Sequence, residues 1–164
     1  MTIDITHACS FTGHRPERLA ILEEKAISWL KEQIEIAVAD GYTEFLSGMQ
    51  RGVDIWAAEV VLELKKSGKP VKLIAVSPFK GVEKSWDKSW IDRFYNIWNN
   101  ADDKVIVSIK PGRAAFFERN HYLVDHASKL IGVYTGAPGG TKETIEYAKK
   151  KGLEVVVIDK KLIR

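Results

Sequence analysis

Tyr134-Thr135-Gly136-Ala137-Pro138-Gly139-Gly140-Thr141-Lys142-Glu143-Thr144 is the stretch on which the fold of this chain turns. The apolar run Lys129 to Tyr134 ahead of it reads as a buried strand, and Thr144 to Lys151 behind it reads as a helix. Glycines at such a junction let the backbone approach an anion closely. Thr141 or Thr144 can cap the helix, whose free N–H groups then face a ligand. The segment is neither G-x-G-x-x-G nor G-x-x-x-x-G-K-[ST], so a turn built for geometry alone is an equal reading and the rest of the chain must decide.

Outward from that point the same alternation repeats. His7 to Thr12, Thr43 to Ser47, Val71 to Val76, Asp103 to Ser108 and Leu153 to Ile158 are further strand-like runs. Between them, Leu19, Leu22, Ala26, Trp29, Leu30, Ile34 and Ala37 follow helical spacing up to Gly41. Val53 to Lys66 carries a strong apolar face, Glu83 to Asn100 holds Trp86, Trp90, Phe94 and Trp98 at steps of four, and Ala114 to Ala127 forms another helix. Strands alternating with helices, the strands being continuous apolar runs, predict an α/β three-layer sandwich: a mostly parallel sheet of about six strands with helices on both faces. The aromatic stripe reads first as core or interface and only second as a base-stacking surface.

With 164 residues, residues 1–164 are expected to form one domain. A net charge of +3 without a long basic stripe allows nucleic acid as a partner but does not indicate it. Cys9 is the single cysteine, which excludes an internal disulfide and a cysteine zinc site. The start of the chain lacks the pattern of a signal peptide and no apolar run is long enough to span a bilayer, so the expectation is a reduced, cytoplasmic protein with no membrane partner. No metal set and no cofactor are called for.

In parallel α/β sheets ligands gather at the carboxyl edge, and here each turn of unusual chemistry follows a strand. Gly13-His14-Arg15 offers a permissive backbone, an imidazole and a guanidinium able to grip phosphate; its bland reading is a solvated turn. In Ser47-Gly48-Met49-Gln50-Arg51-Gly52-Val53-Asp54 two glycines surround a helix start, where backbone N–H groups can accept a phosphate. Asp54 there suits a ribose hydroxyl or simply caps the helix, with Glu59 one turn on in solvent. On the Ala114 to Ala127 helix, near its start, Arg119 is an anion clamp beside Glu118, or half of a surface ion pair.

Taken together, Thr12-Gly13-His14-Arg15-Pro16, Ser47 through Glu59, Ser77-Pro78-Phe79 and Arg119-Asn120-His121-Tyr122-Leu123-Val124-Asp125 resemble the SLOG superfamily of Rossmann-like proteins, most closely its YpsA-like branch. The resemblance implies binding of a nucleotide or nucleotide-derived small molecule at the carboxyl edge, as a sensor or sequestering module, by Gly13, His14, Arg15, Ser47, Gly48, Gly52, Asp54, Arg119, Asn120, Gly139, Gly140, Thr141 and Thr144. It also implies two alternatives. One is a nucleoside 5′-monophosphate phosphoribohydrolase, with Arg119 and the Thr141 loop on the phosphate and Glu59 or Glu143 supporting the sugar. The other is single-stranded DNA binding, as in the related DNA-processing protein. Relative to the hydrolase pattern, Asn120 replaces a lysine and Thr144 stands where the catalytic glutamate belongs. The aromatic stripe and the resemblance together suggest a homodimer.

Overall fold

The computed structural model describes residues 2–162, so the first and the last two residues of the expected domain lie outside the described residues. Six strands, β1 (Ala8–Gly13), β2 (Glu44–Ser47), β3 (Lys72–Ser77), β4 (Asp103–Ile106), β5 (Lys129–Val133) and β6 (Glu154–Val157), pair in the order β4-β3-β2-β1-β5-β6. Every pairing is parallel. The helices are α1 (Glu23–Ala39), α2 (Val53–Lys66), α3 (Lys88–Asn100), α4 (Arg113–Asp125) and α5 (Gly140–Lys150).

Side chains alternate across each central strand, and both faces are covered. Cys9, Phe11, Phe45, Leu73, Ala75, Ile131 and Val133 join the core built with α1, α2 and α3. Ala8, Leu46, Ile74 and Val76 face Leu123 of α4, and Leu130 faces Val124 of α4 and Ile145 of α5. Two buried faces are why the strands read as continuous apolar runs. The edge strands differ: β4 alternates between exposed and half-buried residues and β6 is only half-buried, because each has one neighbour.

The chain runs outward from β1 through β2 and β3 to β4, then crosses back through α4 to place β5 on the other flank of β1. The carboxyl ends of β1 and β5 therefore flank a topological switch point, where loops leaving adjacent strands diverge and open a crevice.

The structure departs from the sequence reading at several points, beginning with α1, which starts at Glu23 and leaves Leu19 and Leu22 before it. α5 begins at Gly140, four residues before Thr144, so Gly139-Gly140-Thr141 is the helix start itself and Thr144 does not cap it. α3 begins at Lys88 rather than Glu83, after a run of turns. Arg119 lies mid-way along α4 rather than near its start.

The aromatic stripe packs inward. Phe94 is buried, with the Trp86 and Trp98 rings 5.8 and 5.7 Å from its own, and Trp90 lies 6.4 Å from Trp56 of α2. The stripe thus joins α3 to α2, with Phe94 in the core and the three tryptophan rings half-buried at its edge. Cys9 is fully buried and burial pushes its thiol pKa strongly up, as for an inert core cysteine. No described helix is long and apolar enough to cross a membrane.

Candidate functional site

A cleft of about 330 Å³ opens at the switch point, lined by residues that follow β1, β2 and β5 and by one face of α4. Its floor holds three side chains that are rarely buried: His14, Asp54 and Arg119, exposed by only 5, 6 and 6%. They come from the turn after β1, the first turn of α2 and the middle of α4.

Glycines make this convergence sterically feasible. A Cβ on Gly48 would lie 2.9 Å from both Arg119 Cδ and Asp54 Oδ2, and a Cβ on Gly13 would lie 2.4 Å from Val53 Cγ2 at the start of α2. Gly52, at φ 93°, precedes α2 and packs against His14 O and Pro16. Between Gly48 and Gly52 the fully buried Met49 sits at φ 62°, a conformation rare for a side chain of its size. Ser47 ties the same loop to the helix: its hydroxyl donates to Asp54 O at 2.8 Å and accepts from Met49 N at 3.2 Å.

The buried polar groups are only partly matched. Arg119 donates from Nη1 to Gly48 O and from Nε to Asn120 Oδ1 at 2.8 Å, and its guanidinium lies 5.6 Å from the centre of the Phe116 ring. Asp54 Oδ2 accepts from Gln50 N at 3.2 Å, yet Asp54 Oδ1 and His14 Nε2 are buried without a hydrogen-bond partner among the described residues. Such orphans cost about 1–3 kcal/mol each, so they mark a place built to meet another polar group.

Burial dominates the protonation of all three. It pushes the Asp54 carboxyl up to about 6, against the opposing pull of Arg119 and the Gln50 amide. It lowers the His14 pKa, helped by the nearby Arg18 charge, and lowers that of Arg119 while Asp54 opposes the shift.

The wall facing this trio is the start of α5. Gly139, at φ 140°, occupies the cap position and no side chain caps the helix. The first bond back into this turn is Glu143 N to Gly139 O, so the amides of Gly140, Thr141 and Lys142 have no acceptor within the helix. Arg18 spans the loop, donating from Nη2 to Pro138 O at 3.1 Å, and Asn120 Nδ2 is 3.6 Å from where a Gly140 Cβ would stand. Free amides at the positive end of a helix, flanked by an amide side chain and two guanidinium groups, form a seat for an anion.

Of the residues singled out in the sequence, Gly13, His14, Arg15, Asp54, Arg119, Asn120, Gly139, Gly140 and Thr141 line the cleft. Ser47, Gly48 and Gly52 stand behind it and shape its floor. Thr144 is buried one turn into α5, its hydroxyl donating to Gly140 O at 2.7 Å. Glu59 does not line the cleft: both carboxylate oxygens accept from Arg93, at 2.6 and 3.0 Å. Glu143 is exposed and also lies off the cleft. Sequence reasoning missed Arg18, Gln50, Arg113, Phe116 and Phe117. Phe116 and Phe117 were findable, since they precede Asn120 by one helical turn. Arg18 was not, because a short helical turn over Pro16–Arg18 brings it back across the loop before α5.

The YpsA family model, described as the YspA SLOG family, matches residues 9–161. The chain belongs to this family. A UPF0398 protein of Halalkalibacterium halodurans is 30% identical over 151 residues, covering 87% of this chain and 80% of that protein. Among solved structures, DNA processing protein A from Streptococcus pneumoniae superposes with a TM-score of 0.67 at 17% identity, over 94% of this chain and 50% of that one. DNA processing protein A from Helicobacter pylori gives a TM-score of 0.63 at 19% identity, over 95% and 66%. This chain thus spans half to two thirds of those structures, and at such identities the likeness shows the shared Rossmann-like fold alone.

Proposed function

We propose that this protein binds a nucleotide or nucleotide-derived small molecule, with a phosphate on the first turn of α5 and a sugar over the Asp54 side of the cleft. One observation carries this reading. The uncapped start of α5 faces Arg119 and two buried polar side chains, each with an unpartnered atom, in the crevice where the sheet changes direction. Free amides and guanidinium groups recognise a phosphate dianion, and a buried carboxylate accepts from ribose hydroxyls. Isothermal titration with inorganic phosphate, ribose 5-phosphate and AMP tests it. Binding of all three supports the seat, and no heat from any of them refutes it.

The second reading is N-glycosidic cleavage, and it now rests on Asp54. This is the one carboxylate among the described residues lining the cleft, and its pKa of about 6 suits proton transfer near neutrality. Incubation of AMP with concentrated protein, followed by chromatography for adenine, decides between holding and cutting. Release that is abolished in Asp54→Asn favours cutting; no adenine above a blank leaves binding alone.

The Helicobacter pylori structure is described as showing a single-stranded DNA binding mode, so an oligonucleotide belongs in the same titration. Binding to this chain that survives moderate salt would favour a strand over a mononucleotide, because attraction to the phosphate backbone fades as salt rises. The homodimer expected from the resemblance is tested by sedimentation.

A further inference from the structure

A second chamber of about 320 Å³ adjoins the cleft and shares Arg15, Gln50 and Phe116 with it. Its remaining wall comes from Arg51, which donates from Nη2 to Glu17 Oε1 at 2.9 Å and whose Nε has no partner among the described residues, and from the turns between β3 and α3, chiefly Phe79, Trp86 and Asp87. Phe79 and Phe116 meet edge to face, 5.6 Å between ring centres, and Phe79, Trp86 and Phe116 are all only partly buried. Asp87 is exposed and holds the position before α3, yet its side chain caps nothing. The two chambers differ in character: the first has Arg18, Arg119 and the start of α5, whereas the second sets aromatic faces, the Asp87 carboxylate and the Gln50 amide beside the Arg15 and Arg51 guanidinium groups.

We infer that this second chamber is the base subsite for the ligand whose phosphate rests on α5, and that it selects bases bearing an exocyclic amino group. The inference rests on the phosphate seat proposed above and adds the ligand's orientation and base class. Aromatic faces stack on any base, so Phe79 and Trp86 supply affinity without identity. Identity is read at the edge. An ionised carboxylate only accepts hydrogen bonds, so Asp87 matches the amino group of adenine or cytosine and has no donor to meet in hypoxanthine or uracil at the same position. Gln50, on the shared wall, accepts from Arg51 N at 3.0 Å through Oε1 and so presents its amide N–H groups, which complement the ring-nitrogen acceptor of an adenine-type edge.

The test is a titration series at one salt concentration with ribose 5-phosphate, AMP and IMP, on the wild type and on Asp87→Ala. AMP is expected to bind at least tenfold more tightly than IMP or ribose 5-phosphate. In Asp87→Ala the AMP affinity falls to that of IMP while ribose 5-phosphate is unaffected. A second variant, Ser85→Trp, places a ring from an exposed position on the chamber wall, and should bring AMP down to the level of ribose 5-phosphate with an unchanged melting temperature. Equal affinities for AMP and IMP in the wild type, or a preference untouched by Asp87→Ala, overturn the base subsite and leave the phosphate seat standing. Failure of ribose 5-phosphate itself to bind removes the seat and this inference with it.

Discussion

At the amino end of the sheet, Lys129 is 2% exposed, but its Nζ lies 3.7 Å from Glu154 Oε1 and 5.5 Å from the centre of the Tyr42 ring. Beside it, Glu44 accepts from Asp4 N at 2.7 Å and Ser128 donates to Thr6 O at 3.1 Å. At the carboxyl end, His14 and Asp54 are buried to the same degree and each keeps an atom without a partner. Three of the five α-helices among the described residues also start from that end on a glycine, at Gly52, Gly112 and Gly139. Both ends bury polar groups, but among the described residues the buried side-chain atoms left without a partner, His14 Nε2, Arg51 Nε, Asp54 Oδ1 and Trp56 Nε1, all lie in the turns after β1 and β2 or in the first turn of α2. Unmet hydrogen-bonding capacity therefore collects at one edge, which is what a binding site requires and what a purely structural edge avoids.

The largest effect is expected at the glycines behind the cleft. Gly13→Val would drive a branched side chain into Val53, 2.4 Å from the first carbon added. We expect a loss of about 3 kcal/mol or more, read by urea denaturation, since overpacking of this kind commonly costs 1–3 kcal/mol and here the clash is severe. Next in size, Arg119→Ala should weaken binding of ribose 5-phosphate by about 1.5–3 kcal/mol, the usual worth of a hydrogen bond to a charged group, in a titration of folded protein.

Asp54 makes the carboxyl end respond to pH. Its folded-state pKa is raised from 3.8 to about 6, so the proton is held more tightly in the folded protein. Its contribution to stability is then full below about pH 4 and lost as pH rises through about 6. Two units correspond to about 3 kcal/mol at neutral pH, an upper bound on what Asp54→Asn can recover. We expect Asp54→Asn to stabilise the protein by about 1–3 kcal/mol at pH 7, to lose that gain below pH 4, and to bind ribose 5-phosphate less well, by melting curves and titration. His14 works in the opposite sense: its pKa is lowered, so its contribution is full above its unfolded value and falls as the solution is acidified. The smallest effect belongs to the other edge. Lys129→Met removes a buried but partnered charge, and a well-packed apolar replacement should change stability by about 1 kcal/mol or less and leave ligand affinity alone.

Features of the fold were legible in the sequence where their determinants are local. α2 runs from Val53 to Lys66 as expected, because an apolar face, a preceding glycine and the Ser67-Gly68 stop all lie within one segment. That the turns after β1 and β5 share one edge was legible from the alternation of strands and helices, since parallel strands bring such turns to the same end of the sheet, whereas the order that makes β1 and β5 neighbours was not. The start of α5 was misplaced because threonine was read as the cap, whereas Gly139 enters the helix through a backbone conformation that side chains resist. Glu59 was read as solvated or catalytic because its partner Arg93 lies 34 residues away on α3. Pairings of that kind, like the folding of Arg18 over the Pro138 loop, are set by tertiary packing and leave no periodic trace.

The most direct test is a two-dimensional amide and side-chain NMR titration with AMP. Shifts concentrated on Gly139, Gly140, Thr141, the Arg119 guanidinium and the His14 ring, with Lys129 and Glu44 silent, are the expected result. Perturbations confined to the amino edge, or spread evenly over the surface, would contradict the assignment of binding to the carboxyl end.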